Sequence, residues 1–298
     1  MDINYEEARN YIAHIQGNLG SDYSLKEVTR LAEYMDRPDK KLQIVHIAGT
    51  NGKGSVLAYV STVLKEAGYK VGRYISPTIF SYRERIQVNE SYISREDLIR
   101  LTEKVKAAGD QLLAEGRQHP TMFEMETAIA FLYFAEQNCD LVVLEVGMGG
   151  RLDATNVIRN TKVAVLASIS MDHMGFLGNT LGEIAEHKTG IIKPGCTVVS
   201  ASQQPEAAVS VRKKAEQEGC EVICVEPEKI KIEKRGLEGQ IFSYKEHAQV
   251  EIALAGEYQF LNGALALEVL DELKRKGYEI SEEALKAGMK KTVWLGRF

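Results

Sequence analysis

The segment Gly49-Thr50-Asn51-Gly52-Lys53-Gly54-Ser55 has the composition of a phosphate cradle. Its glycines let a backbone turn tightly and come close to anionic oxygens. Lys53 adds a positive charge for the terminal phosphates. A helix starting here would aim unpaired N–H groups and the positive end of its dipole at the same anion. The chemistry indicated is the binding of a nucleoside triphosphate, ATP. The segment departs from the usual G-x-x-x-x-G-K-[ST] pattern, because Gly49 stands only three residues before Gly52 and Gly54 fills the usual Ser/Thr position. Glu145 ends an apolar run and would be buried, so its carboxylate needs a partner. Ser76 offers a hard oxygen, His173 an imidazole and Lys188 an amine. Taken singly, these three read as a turn, a strand end and an ordinary helical lysine.

The surrounding pattern places these residues. Leu42–Ala48 reads as a buried strand, Val56–Ala67 as a helix stopped by Gly68, and Val71–Ile75 as the next strand. Two strands separated by a helix make a βαβ unit with parallel strands. Helices are expected over 5–16, 24–35, 96–115, 123–136, 181–191, 205–218 and 256–276. Further strands are expected over 140–146, 163–169, 197–200 and 221–225. Alternating polar and apolar residues near 228–254 suit a small antiparallel sheet. The fold class expected is α/β: a P-loop-type, mainly parallel sheet flanked by helices, with a small antiparallel subsheet.

The chain of 298 residues, 44% apolar and 27% charged, can bury a large core as one domain or two. A net charge of −5 gives no general pull toward nucleic acid or a membrane surface. The four cysteines show no Cys-x-x-Cys spacing and read as thiols in a reducing compartment. The first residues do not form a signal peptide, and no apolar run approaches the roughly 20 residues that span a bilayer. The expected location is the cytoplasm.

Ala48 to Val56 resembles the phosphate loop of the Mur-type amide ligases. Its Lys-Gly-Ser ending is similar to one branch, the folylpolyglutamate and dihydrofolate synthases. Other stretches resemble the same branch. Ser76-Pro77-Thr78-Ile79 with Glu84-Arg85-Ile86 is similar to its Ser-Pro-His-Leu and Glu-Arg-Ile, with Thr78 in the histidine's place. Thr121-Met122-Phe123-Glu124 matches a Thr-x-Phe-Glu stretch, and also reads as a helix N-cap. Leu144 to Asn156 is the longest match. Asp172-His173 precedes Leu177-Gly178-Asn179-Thr180 as in the family, and Ile184 to Lys193 matches except at His187 and Thr189, where glutamate and alanine are usual.

The resemblance implies a Mur ligase central domain using ATP and two Mg²⁺. Ser76, Glu145 and His173 would bind one cation, and Lys188, carbamylated, the second. Gly49, Thr50, Asn51, Gly52, Lys53, Gly54 and Ser55 would hold the phosphates. Asn262, in Gly256-Glu257-Tyr258-Gln259-Phe260-Leu261-Asn262, would meet the adenine or ribose, and Arg297 the triphosphate. Thr121, Phe123, Glu124, Leu152, Asp153 and Ala154 would contact the pterin-bearing substrate. Lys53, Lys188 and His173 would serve catalysis. Trp294-Leu295-Gly296-Arg297-Phe298 resembles the segment that leads, in relatives, into a smaller C-terminal domain. The expected organisation is an ATP-binding domain over 1–293 and a linker stub over 294–298. The expected reaction adds L-glutamate to a folate or to dihydropteroate through an acyl phosphate, with ligation impaired in this chain alone. The alternatives are a Mur-type ligase of another acid and a nucleotide-binding fragment without catalysis. Expected partners are these small molecules, with neither nucleic acid nor membrane, and the expected state is a monomer.

Overall fold

Ile44-Val45-His46-Ile47-Ala48 is buried at every position and forms β1 (Ile44–Ala48). A strand with apolar side chains on both faces must lie inside a sheet covered on both sides. The computed structural model, which describes residues 4–15, 24–172 and 174–294, builds that sheet. It contains β1, β2 (Val71–Tyr74), β3 (Ile86–Val88), β4 (Ser91–Tyr92), β5 (Leu141–Glu145), β6 (Thr161–Leu166), β7 (Thr197–Ser200) and β8 (Val222–Cys224). Their spatial order is β4-β3-β2-β5-β1-β6-β7-β8. Strands from β2 across to β8 run parallel, and β3 and β4 are antiparallel at one edge. A second, antiparallel sheet orders β9 (Ile230–Lys234), β10 (Gln240–Tyr244) and β11 (His247–Ile252) as β11-β10-β9.

The helices are α1 (Tyr5–Ala13), α2 (Lys26–Tyr34), α3 (Lys53–Glu66), α4 (Arg95–Ala114), α5 (Met122–Glu136), α6 (Met174–Leu177), α7 (Leu181–Thr189), α8 (Pro205–Glu218), α9 (Tyr258–Arg275) and α10 (Glu282–Lys291). Alternate strand residues feed opposite cores, as a two-residue period requires. Val45, Ile47 and Val143 pack with α3, α9 and the small sheet. Ile44, Val142 and Leu144 pack with α2, α4 and α5. Ala48, Val146 and Leu166 pack toward α8. This is the α/β class expected.

Three differences from the sequence-based expectation concern the site. Helix α3 begins at Lys53 instead of Val56, because Gly52, at φ 87°, serves as its N-cap. The end of the glycine-rich segment is thus the first turn of a helix. Strands β3 and β4 are too short to show an alternation; β3 exists through pairing with β2, and β4 through pairing with β3. Helix α10, which packs on α3, was not anticipated.

Candidate active site

In an open parallel sheet, ligands collect beyond the carboxyl ends of the strands. Register brings those ends level here: Ile47 lies opposite Glu145, Ala48 opposite Leu166, and Leu166 opposite Ser200. Beyond them lies a cavity of about 770 Å³, within the usual range for small-molecule sites. Its floor is the phosphate loop from Thr50 to Ser55, with Glu145 and Ser168 beside it. Ala201, Val225, Pro227, Tyr258 and Leu261 add apolar surface to its lining, together with the Asn262 amide.

The loop is braced from two sides. The Thr50 and Asn51 N–H groups donate to the Ser168 carbonyl at 2.7 and 3.2 Å. The Thr50 hydroxyl donates to the Ser170 carbonyl at 3.0 Å. These two loop amides are therefore committed to structure. The N–H groups of the first turn of α3 have no intrahelical acceptor and are the donors left for an anion. On the other side, α9 leans on the loop. Gln259 donates to the Ser55 hydroxyl at 3.2 Å, and Asn262 donates to Gln259 at 3.2 Å. A Cβ at Gly52 would overlap the Asn262 side-chain oxygen. At Gly54 a Cβ would stand 2.6 Å from the Trp294 ring. The indole thus fills the space beside the position where other phosphate loops carry Ser or Thr.

Two lysines converge on one acceptor. Lys53 Nζ donates to the Gly49 carbonyl at 3.0 Å and to that of Thr50 at 3.3 Å. Lys188 Nζ, from α7, also donates to the Gly49 carbonyl at 3.0 Å. Lys188 is only 2% exposed. Burial, and then the neighbouring charge of Lys53, lower its amine from 10.5 to about 8, while Asp172 acts in the opposite sense. A neutral amine is thereby accessible near physiological pH.

The run after Glu145 holds α7 in place. The Arg151 N–H donates to the His187 carbonyl at 2.8 Å, and Asn156 donates to the Gly190 carbonyl at 3.1 Å. A Cβ at Gly150 would come within 2.9 Å of the His187 and Lys188 carbonyls. The glycines that read as a flexible turn are therefore a site of close backbone approach, which fixes Lys188 relative to Glu145. Glu145 itself is 1% exposed at the cavity wall. Its Oε2 accepts from the Ser76 N–H at 3.4 Å, so Ser76 is carried to the same corner. A buried carboxylate beside a serine is a hard-oxygen donor set that fits Mg²⁺. Among the described residues, no group of three His, Cys, Asp or Glu side chains could hold a metal ion by itself. His173 and Arg297 lie outside the described residues.

The residues expected to meet the second substrate form a separate cluster. Thr121 and Glu124 cap α5 reciprocally, which leaves Phe123 half-buried on its first turn. Its ring would meet a Cβ on Gly147 at 2.7 Å, so this cluster adjoins the turn after Glu145. Leu152 is half-buried, while Ala154 and Asp153 are buried. The Asp153 carboxylate accepts from the Met148 N–H at 2.9 Å and from the Thr155 N–H at 3.0 Å. The Thr155 hydroxyl also donates to it, and lies 2.9 Å from His46 Nε2. Burial pushes the Asp153 carboxyl up, against these hydrogen bonds.

Sequence reasoning did not single out Ser168, Ala201, Val225 or Pro227. They follow the ends of β6, β7 and β8 and form no local motif. The strand-end rule is the signal that could have found them.

The Mur ligase middle domain family matches residues 47–270. The dihydrofolate synthase/folylpolyglutamate synthase of Bacillus subtilis is 39% identical over 98% of this chain and 69% of its own length. The apo structure of L. casei folylpolyglutamate synthase superposes with a TM-score of 0.92 at 31% identity, covering 99% of this chain and 73% of that one. A folylpolyglutamate synthase in complex with AMPPCP and folate gives a TM-score of 0.91 at 31% identity, over 98% of this chain and 72% of that one.

Proposed function

The chain belongs to the Mur ligase family and to its branch of folylpolyglutamate and dihydrofolate synthases, ATP-dependent amide-bond ligases that add glutamate to folates, and on that footing we propose the roles of its site residues. ATP lies with its phosphates on Gly49–Ser55 and its base toward Asn262, Tyr258 and Leu261. Glu145 and Ser76 would hold Mg²⁺, an ion commonly bound by one or two carboxylates plus substrate phosphates. His173 would join them by resemblance, and a carbamate on Lys188 would supply hard oxygens for a second ion. Bound there, the cations would neutralise charge on the transferring phosphoryl group.

The chain's own contribution is positioning and fixed charge. Lys53 and the first-turn amides of α3 stabilise the negative charge that develops as the γ-phosphoryl group leaves ADP. Thr121, Phe123, Glu124, Leu152, Asp153 and Ala154 form or support the surface for the pterin-bearing acid. Its carboxylate attacks the γ-phosphorus to give an acyl phosphate and ADP. The amine of L-glutamate then displaces phosphate and forms the amide. No protein nucleophile takes part.

The observation that carries this reading is the convergence of Lys53 and Lys188 on the Gly49 carbonyl, at 3.0 Å each, beside buried Glu145. The test is incubation with ATP, Mg²⁺, L-glutamate and either a reduced folate or dihydropteroate. Any product formed should be heavier by one glutamyl residue, with ADP and phosphate released, and Lys53→Ala should abolish it. ATP turnover stimulated by a UDP-muramyl acid and not by a folate would overturn the substrate class. A Mg-ATP binding assay runs beside it, because we propose that residues 1–293 bind nucleotide as one domain. We also propose a monomer acting in the cytoplasm, which size-exclusion chromatography with light scattering and cell fractionation would check. No helix among the described residues is long and apolar enough to cross a membrane.

A further inference from the structure

Between β2 and β3 the chain leaves the sheet at Ile75 and returns at Arg85, where the Ile75 N–H donates to the Arg85 carbonyl at 3.1 Å. The excursion carries Ser76 at its start and Glu84 at its end. Burial cannot fix its tip, since Ile79 is 48% exposed and Phe80 68% exposed. A single carboxylate oxygen does so instead. Glu84 Oε1 accepts from the N–H groups of Ile79, Phe80 and Ser81, the last two at 2.6 and 3.1 Å. Glu84 is 7% exposed. Its own backbone is held by Gln87, which donates to the Glu84 carbonyl at 2.6 Å. Three backbone donors gathered on one buried anion are charge-assisted hydrogen bonds, about twice as strong as neutral ones.

We propose that Glu84 is a positioning residue: its carboxylate sets the loop from Ser76 to Ser81 so that Ser76 stays against Glu145 at the metal and phosphate corner of the site. This rests on the reading above, in which Ser76 and Glu145 share a Mg²⁺. Glu84 acts through the loop backbone, by accepting from the N–H groups of residues 79–81. The chemistry is the familiar one in which a group behind a metal ligand fixes the ligand's orientation. Losing it costs metal affinity without removing a donor.

The experiment uses Glu84→Ala and Glu84→Gln, with Ser76→Ala and Glu145→Gln as comparators and AMPPCP as the nucleotide. Two readouts are hydrogen exchange of the 79–81 amides and the Mg²⁺ midpoint for AMPPCP binding. A third is AMPPCP affinity without Mg²⁺. Glu84→Ala should speed exchange at 79–81 and raise the Mg²⁺ midpoint by about tenfold to a hundredfold. Glu84→Gln keeps a neutral acceptor oxygen and should fall between Ala and wild type. Metal-free affinity should move by less than about twofold, within roughly 0.4 kcal/mol. An unchanged midpoint in Glu84→Ala would overturn the proposal, as would an equal loss of metal-free affinity. Unshifted midpoints in Ser76→Ala and Glu145→Gln would sink the metal reading itself. Shifts there, with none in Glu84→Ala, would sink only the role given to Glu84.

Discussion

Helix α3 is bracketed by two glycines in the left-handed region, Gly52 at φ 87° before it and Gly68 at φ 92° after it. Alanine at either site meets a similar backbone penalty, about 1–2 kcal/mol, partly offset because alanine stiffens the unfolded chain by about 0.4–1 kcal/mol. The two sites differ in what a methyl would touch. At Gly68 nothing lies within 4 Å. At Gly52 the methyl would overlap Asn262 Oδ1 and stand 3.2 Å from its Cγ. Asn262 could retreat only by giving up its hydrogen bond to Gln259, which itself supports Ser55. Overpacking of this kind costs about 1–3 kcal/mol. Gly68→Ala should therefore destabilise by about 1 kcal/mol, and Gly52→Ala by about 2–4 kcal/mol. At roughly 2–4 °C per kcal/mol, thermal melts separate the two variants. Calorimetry with Mg-ATP separates them further. Gly68→Ala should bind as wild type, and Gly52→Ala should bind at least about tenfold more weakly, a loss of about 1.4 kcal/mol. Equal melting shifts, or wild-type affinity in Gly52→Ala, would refute the reasoning that this loop must be free of a side chain at Gly52.

Other outcomes follow from the buried groups. Lys188 is lowered by burial to about 8 from 10.5, so between those values the unfolded chain binds more protons and stability rises with pH. The total is roughly 3 kcal/mol, and melts of Lys188→Met across that window should lack this slope. The same depressed amine should take up CO₂ as a carbamate at pH 8 far more readily than a surface lysine, read by trapping and peptide mass analysis. Asp153→Asn would place amide donors against backbone donors at a buried site, a loss of about 1–3 kcal/mol. A lowered melting point is therefore expected, and a raised KM for the acid at unchanged stability would instead mark Asp153 as a direct contact.

The parallel sheet was legible because β1 and β5 are short apolar runs next to glycine-rich turns, and a βαβ reading follows from that pattern. The phosphate loop and Lys188 were legible through motifs. Their mutual geometry was not, since the shared Gly49 carbonyl joins residues far apart in sequence. The glycines after Glu145 showed only that the backbone bends there, and their packing on α7 is tertiary. Helix α10 carried readable signals in Ser281, Glu282, Glu283, Lys290 and Lys291, which cap it and complement its dipole. The edge strands β3 and β4 carried none. Asp153 shows the limit of motif reading: its neighbours mark a substrate region, whereas its carboxylate is occupied by its own turn.

Trp294 is the chain's single tryptophan, and its indole lies against Gly54 of the phosphate loop. Intrinsic fluorescence titrated with Mg-AMPPCP therefore reports directly on the loop. A saturable change in emission is expected for the wild-type chain, with a loss of at least about tenfold in affinity in Lys53→Ala. Emission that does not respond to nucleotide, or an identical titration in Lys53→Ala, would contradict the assignment of Gly49–Ser55 as the triphosphate site.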